Sequence, residues 1–148
     1  MSHTTAINTI SITDVNALQS AIRELKANGV KCDLLERAVP RAYYPNQQGM
    51  GQADYVVKLH DSKYDVGLYA KQDGKGYESR CDFWDGQIER VLGTTPGEGD
   101  DHQQAKLGKL YQTYAIHAAT NAAVQQGYTV QRINREGGAV RLMVTNVG

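Results

Sequence analysis

The chain has 148 residues, 41% of them hydrophobic and 22% charged, with sixteen lysines and arginines against sixteen aspartates and glutamates. That length supports one domain spanning residues 1–148, with a core that needs no metal or disulfide staple, and the hydrophobic share excludes a disordered chain. The zero formal charge removes any broad attraction to nucleic acid or to an anionic membrane.

Ala6 to Ile12 reads as a first strand, followed by a helix that Thr13 is placed to cap. Within that helix Val15, Leu18, Ile22 and Leu25 recur at three- and four-residue intervals, and Asn28-Gly29 ends it, because both residues tolerate a left-handed backbone. Val30 to Glu36 returns as a strand. Pro40 and Pro45 then flank Arg41, Tyr43 and Tyr44, and Asn46 to Gly51 is a polar loop. Tyr55, Val57 and Leu59 alternate with Val56, Lys58 and His60. Tyr64, Val66 and Leu68 line one face of the next strand, after a turn at Asp61-Ser62-Lys63. Asp73 to Gly76 turns the chain into a strand from Tyr77 to Trp84, which completes an antiparallel meander. Gly93 to Gly99 is a connector. A second helix starts after Asp100 or Asp101, with a stripe of Leu107, Leu110, Tyr111, Tyr114, Ala118 and Ala122, and stops at Gly127. Tyr128 to Asn134 and Ala139 to Val144 form a closing hairpin across Arg135 to Gly138. The fold class is therefore α+β, a mainly antiparallel sheet with two amphipathic helices packed on one face.

The motifs argue against several chemistries. His3, His60, His102 and His117 make no HxxH, HExxH or Cys/His cluster, so no metal site is expected. Cys32 and Cys81 form no CxxC pair and read as free thiols of a reducing compartment, neither a disulfide nor a nucleophile. Asp65 and Asp82 pair as carboxylates only if neighbouring strands align them; otherwise each meets arginine or water. GTTPGEG lacks the GxxxxGK[ST] pattern, and Asp100 and Asp101 at the helix entry repel phosphate. No catalytic residue and no cofactor is expected. No run reaches about eighteen apolar residues, and the opening MSHTTAINTISITD has no basic segment leading into an apolar core, so the expectation is a cytoplasmic protein with no membrane span.

The aromatic residues concentrate in the meander. From Tyr77 the odd positions Tyr77, Ser79, Cys81 and Phe83 face the helix-backed core, while Glu78, Arg80, Asp82 and Trp84 face the other way. Tyr69, on the adjacent strand, extends that second surface. Tyr69, Arg80, Asp82 and Trp84 are thus the candidate binding residues. Against this stands the plainer reading, in which a loop covers that side and Trp84 completes a second small core.

The chain resembles the uncharacterised family of hypothetical chloroplast open reading frame 35, found in cyanobacteria, plastids and cyanophages. The resemblance rests on MSHTTAINT at Met1 to Thr9, YDVGLY at Tyr64 to Tyr69 and GYESRCDFW at Gly76 to Trp84. It continues through LYQTYA at Leu110 to Ala115, QGYTV at Gln126 to Val130 and VRLMV at Val140 to Val144. The family pattern has a tryptophan pair after an aspartate, then glycine. Asp82 and Trp84 match it, while Phe83 and Asp85 depart from it, which leaves an aromatic surface with altered detail. The resemblance implies a photosynthetic or cyanophage setting and carries no activity or catalytic set. The leading expectation is a non-enzymatic accessory or regulatory protein that contacts a host or phage protein. The alternative is a small-molecule-binding protein or enzyme with a pocket between the sheet and the central loop. A protein partner is expected, and no membrane; the neutral charge argues against nucleic acid.

Overall fold

A computed structural model describes residues 11–42, 51–94, 106–135 and 140–146. Along the chain run α1 (Val15–Ala27), β1 (Cys32–Ala38), β2 (Ala53–Leu59), β3 (Val66–Ala70) and β4 (Tyr77–Cys81). A 3-10 turn (Trp84–Gly86), α2 (Gln87–Leu92), α3 (Gly108–Gln125), β5 (Tyr128–Asn134) and β6 (Val140–Asn146) follow. The fold is α+β, with two antiparallel sheets and helices packed against them. The larger sheet has the order β1-β2-β3-β4, and the smaller is the β5-β6 hairpin.

Helix α1 forms where its apolar stripe predicts, burying Ala17, Leu18, Ala21, Ile22 and Leu25. Its cap is Asp14 rather than Thr13: the Asp14 carboxylate accepts the Ala17 N–H at 3.0 Å. The Thr13 and Asp14 amides instead donate to the Tyr114 hydroxyl at 2.8 and 2.9 Å, so a side chain of α3 seals the start of α1. In α3, Leu110, Tyr111 and Tyr114 are buried, just after buried Leu107, and Ala118 packs against the same core. Ala122 is exposed, which corrects the expected stripe. The last turns of α3 leave the main core and meet the hairpin. The expected start of this helix, at residues 100–105, lies outside the described residues.

The core lies between the helices and one face of the larger sheet, with Ile12, Val57, Leu59, Val66, Leu68, Ile88 and Leu92 joining the helix residues. Ile12 accepts the Tyr77 N–H at 2.8 Å on the outer side of β4, while residues 6–10 of the expected first strand lie outside the described residues. On the opposite face Ala53, Val56 and Tyr69 form a smaller cluster, with Ala38 against it. Gly67 makes room for it: a Cβ there would stand 2.7 Å from the Tyr69 ring and 2.9 Å from Pro40.

Several boundaries differ from the sequence reading, and β6 runs on to Asn146 where Val144 was the expected end. β1 sits two residues later than expected. β3 starts at Val66, because Ser62 Oγ donates to Tyr64 O and accepts from Tyr64 N–H, which keeps Tyr64 in the turn. β4 ends at Cys81 rather than Trp84, because Asp82 accepts the Trp84 N–H at 2.9 Å and pulls the chain out of the strand. Asp85 and Gly86 then take left-handed φ values of 61° and 63°, and α2 begins. That six-residue helix, absent from the sequence reading, buries Ile88 and Leu92.

Candidate functional site

The odd positions of β4 behave as read from the sequence. Tyr77 and Cys81 pack against the core, and Ser79 shares a 2.8 Å hydrogen bond with the Tyr111 hydroxyl. Glu78 and Arg80 are exposed on the other face, joined by a 2.7 Å ion pair. Tyr69 pairs with Glu78 across the ladder, and the Arg80 guanidinium lies 4.7 Å from the centre of the Tyr69 ring. That separation permits a cation–π contact. Tyr69 is itself buried, its hydroxyl donating to Gly51 O at 3.0 Å. Burial pushes the Tyr69 phenol up, with Arg80 pulling it back.

Trp84 stands differently. With β4 ended at Cys81, strand alternation does not set its direction; the Asp82 bond and the left-handed Asp85 do. Its side chain is 65% exposed, the most exposed of the large hydrophobics among the described residues. Beside it Phe83 packs on the core with the Lys106 ammonium 4.9 Å from its ring. The structure therefore joins Tyr69 to Arg80, and Asp82 to the Trp84 backbone, as two pairs. Trp84 does not belong to the small Tyr69 cluster.

The other chemical candidates are held in structural roles. Burial, reinforced by Asp82, pushes the Cys81 thiol up to about 12, far from a neutral-pH nucleophile. Cys32 is also raised by burial, and both cysteines are free. Asp65 is buried, its carboxylate taken up by Arg41 and a backbone amide. Its Oδ2 accepts from Arg41 N and Nε, and its Oδ1 from Arg41 Nη2 and Leu59 N, at 2.8–3.1 Å. Arg41 also donates to Leu59 O and Ser62 O, tying the segment after β1 to the β2–β3 turn. His60 Nε2 lies 2.6 Å from Asp33. Among the described residues no group of three or more His, Cys, Asp or Glu is placed to hold a metal, and no helix is long and apolar enough to cross a membrane.

One polar cluster was not foreseen. Glu24 of α1 accepts from Arg132 Nη1 at 2.6 Å and Nη2 at 2.9 Å, and lies 2.9 Å from His117 Nε2 on α3. It borders an open groove of about 460 Å³ between α1, α3 and the hairpin, lined also by Asn28, Gln112 and Arg135. A second groove, of about 440 Å³, runs between α1 and β1. Neither is the expected pocket beside the central loop, whose residues 43–50 lie outside the described residues. Compared with protein-family models, curated proteins and solved structures, the chain finds no match.

Proposed function

We propose that this protein is a non-enzymatic accessory protein that binds a protein partner through the end of β4 and the turn after it. Trp84 is the anchor, Arg80 and Asp82 supply charge beside it, and Tyr69 is the floor beneath Arg80. The observation that carries this reading is Trp84 itself: a large aromatic 65% exposed on a backbone fixed by Asp82 and by two left-handed residues. Tryptophan and arginine are enriched at interface hot spots. The non-enzymatic part is supported by the roles of Cys81 and Asp65, the first protonated by burial and the second saturated by Arg41 and a backbone amide.

Immobilised protein tests this in extracts of cyanobacterial cells, with and without phage infection, the setting that the family resemblance suggests. The captured partner is then titrated against Trp84→Ala, Arg80→Ala and the hairpin control Arg141→Ala, with circular dichroism on each variant. Trp84→Ala is expected to lose more than about 2 kcal/mol of binding with its fold intact, while the control binds as the parent does. Equal affinity in a folded Trp84→Ala chain overturns the proposal, and loss of folding alone assigns Trp84 to the core. A stoichiometric small molecule retained in native mass spectrometry would replace the accessory reading.

A further inference from the structure

The open groove of about 460 Å³ between α1, α3 and the hairpin is walled mainly by polar side chains, and several of them bond to nothing in the fold. Thr113 of α3 is the most telling. It is only 9% exposed, yet its hydroxyl makes no hydrogen bond among the described residues. Further along the same helix Thr120 does what a helical threonine ordinarily does, donating to Ile116 O at 2.8 Å. An unbonded hydroxyl sealed inside a protein is costly, and no side-chain oxygen or nitrogen among the described residues is both sealed and unbonded. The Thr113 hydroxyl is therefore open to the groove that the residue lines. Arg135, also in the lining, is exposed and has neither an ion pair nor a hydrogen bond among the described residues. Asn28 and Gln112 likewise keep free side-chain amides. Asn134, whose Oδ1 accepts from Arg132 Nε at 3.1 Å, keeps its Nδ2 to donate.

We propose that this groove binds a small hydroxylated monocarboxylate, of the chemical class of a sugar acid. Charge selects the anion. Glu24 is taken on both oxygens by Arg132, and on one of them also by His117, so Arg135 is left as the uncompensated charge of the lining. Its planar fork matches the two oxygens of a carboxylate. A dianion fits less well, because Glu24 and the C-terminal end of α1, which reaches the groove at Asn28, both oppose a second negative charge. The uncharged part of the ligand meets the Thr113 hydroxyl and the amides of Asn28 and Gln112, which donate and accept as a row of alcohol groups requires. Only Ile116 and Val140 of the lining offer aliphatic surface, too little to hold a mainly apolar molecule. An open groove exchanges its occupant with solvent, so the ligand is sensed at its free concentration rather than retained through purification. The groove shares no residue with the Trp84 turn, and the inference does not rest on the reading given to that turn.

Titration of the isotope-labelled full chain, followed by NMR at fixed ionic strength, tests this. Gluconate is the probe, sorbitol its uncharged counterpart and inorganic phosphate a compact anion. Gluconate is expected to shift the amide signals of Asn28, Gln112 and Asn134 to saturation with a Kd of about 1 mM, and sorbitol and phosphate to bind about tenfold more weakly or worse. Arg135→Gln should weaken gluconate about tenfold with an unchanged urea midpoint, since that guanidinium bonds to nothing in the fold. Arg141→Gln removes the same charge one residue along β6 from Val140, on the opposite face of the hairpin, and should bind as the parent does. Thr113→Val keeps the shape and removes the hydroxyl, so binding should fall about threefold or more while the urea midpoint holds or rises. No saturation by gluconate below about 20 mM overturns the proposal. So does an Arg135→Gln chain that binds like the parent, or an Arg141→Gln chain weakened as much as Arg135→Gln. Phosphate or sorbitol binding as tightly as gluconate overturns the carboxylate assignment, in favour of a general anion site or a neutral polyol site. A lowered midpoint in Thr113→Val would show the hydroxyl bonded within the fold and overturn its place in the site.

Discussion

Glu24 takes two basic partners at once, Arg132 and His117, which ties its charge to the packing of α1, α3 and the hairpin. Its carboxyl is lowered from the ordinary 4.5 to about 2, chiefly by the Arg132 hydrogen bonds and then by His117, against the opposing effect of burial. A carboxyl depressed in the folded state adds stability above its unfolded value, and that stability is lost as pH falls through the folded value. The urea midpoint of the parent is therefore expected to drop between about pH 4.5 and pH 2. Glu24→Gln should be less stable at neutral pH and show a shallower drop across that window. Asp33, also lowered, is present in both chains, so the difference isolates Glu24. Parallel pH profiles would show that the cluster does not stabilise the fold. None of this was legible in the sequence, because Glu24, His117 and Arg132 arrive from three elements. A histidine with no neighbouring ligand reads as isolated until packing supplies its partner.

At the scale of elements, the two long helices were the most legible parts, because a stripe at three- and four-residue spacing is a local signal and both stripes found the same core. Leu18→Ala and Leu110→Ala are each expected to cost about 2–5 kcal/mol, since both side chains are fully buried. Gln19→Ala and Lys109→Ala, on the exposed faces, should stay within about 0.5 kcal/mol. Equal costs in urea denaturation would mean that the faces are wrongly assigned. The meander was legible for the same reason, through alternation. Where β4 stops was not, because one Asp82 hydrogen bond outweighs the continued alternation of Phe83 and Trp84. Of the four candidate binding residues, this leaves Tyr69 and Arg80 on the sheet and moves Trp84 onto a turn. Helix α2 was missed because six residues show too little periodicity. Alternation also announced the hairpin without revealing that it stands as a sheet of its own. Pairing partners are a property of the assembled chain.

The molecule as a whole combines near and distant closure. Each strand of the larger sheet lies beside its neighbour in sequence, so short turns suffice to assemble it. The contact of α1 with α3 is the opposite case, for the Tyr114 hydroxyl reaches an amide 101 residues away. Closing so long a span costs chain entropy before any contact repays it, which favours a folding transition state with the meander formed and α3 undocked from α1. Tyr114→Phe leaves the Thr13 and Asp14 amides without their acceptor, and is expected to cost about 1–3 kcal/mol. In stopped-flow chevrons that cost should fall on the unfolding arm, with faster unfolding and an almost unchanged refolding rate. A slowed refolding arm would instead place the docking of α3 before the barrier. The hydroxyl that seals the first turn of α1 would on this account act as a latch on the finished fold, setting how long the chain stays folded rather than how quickly it gets there.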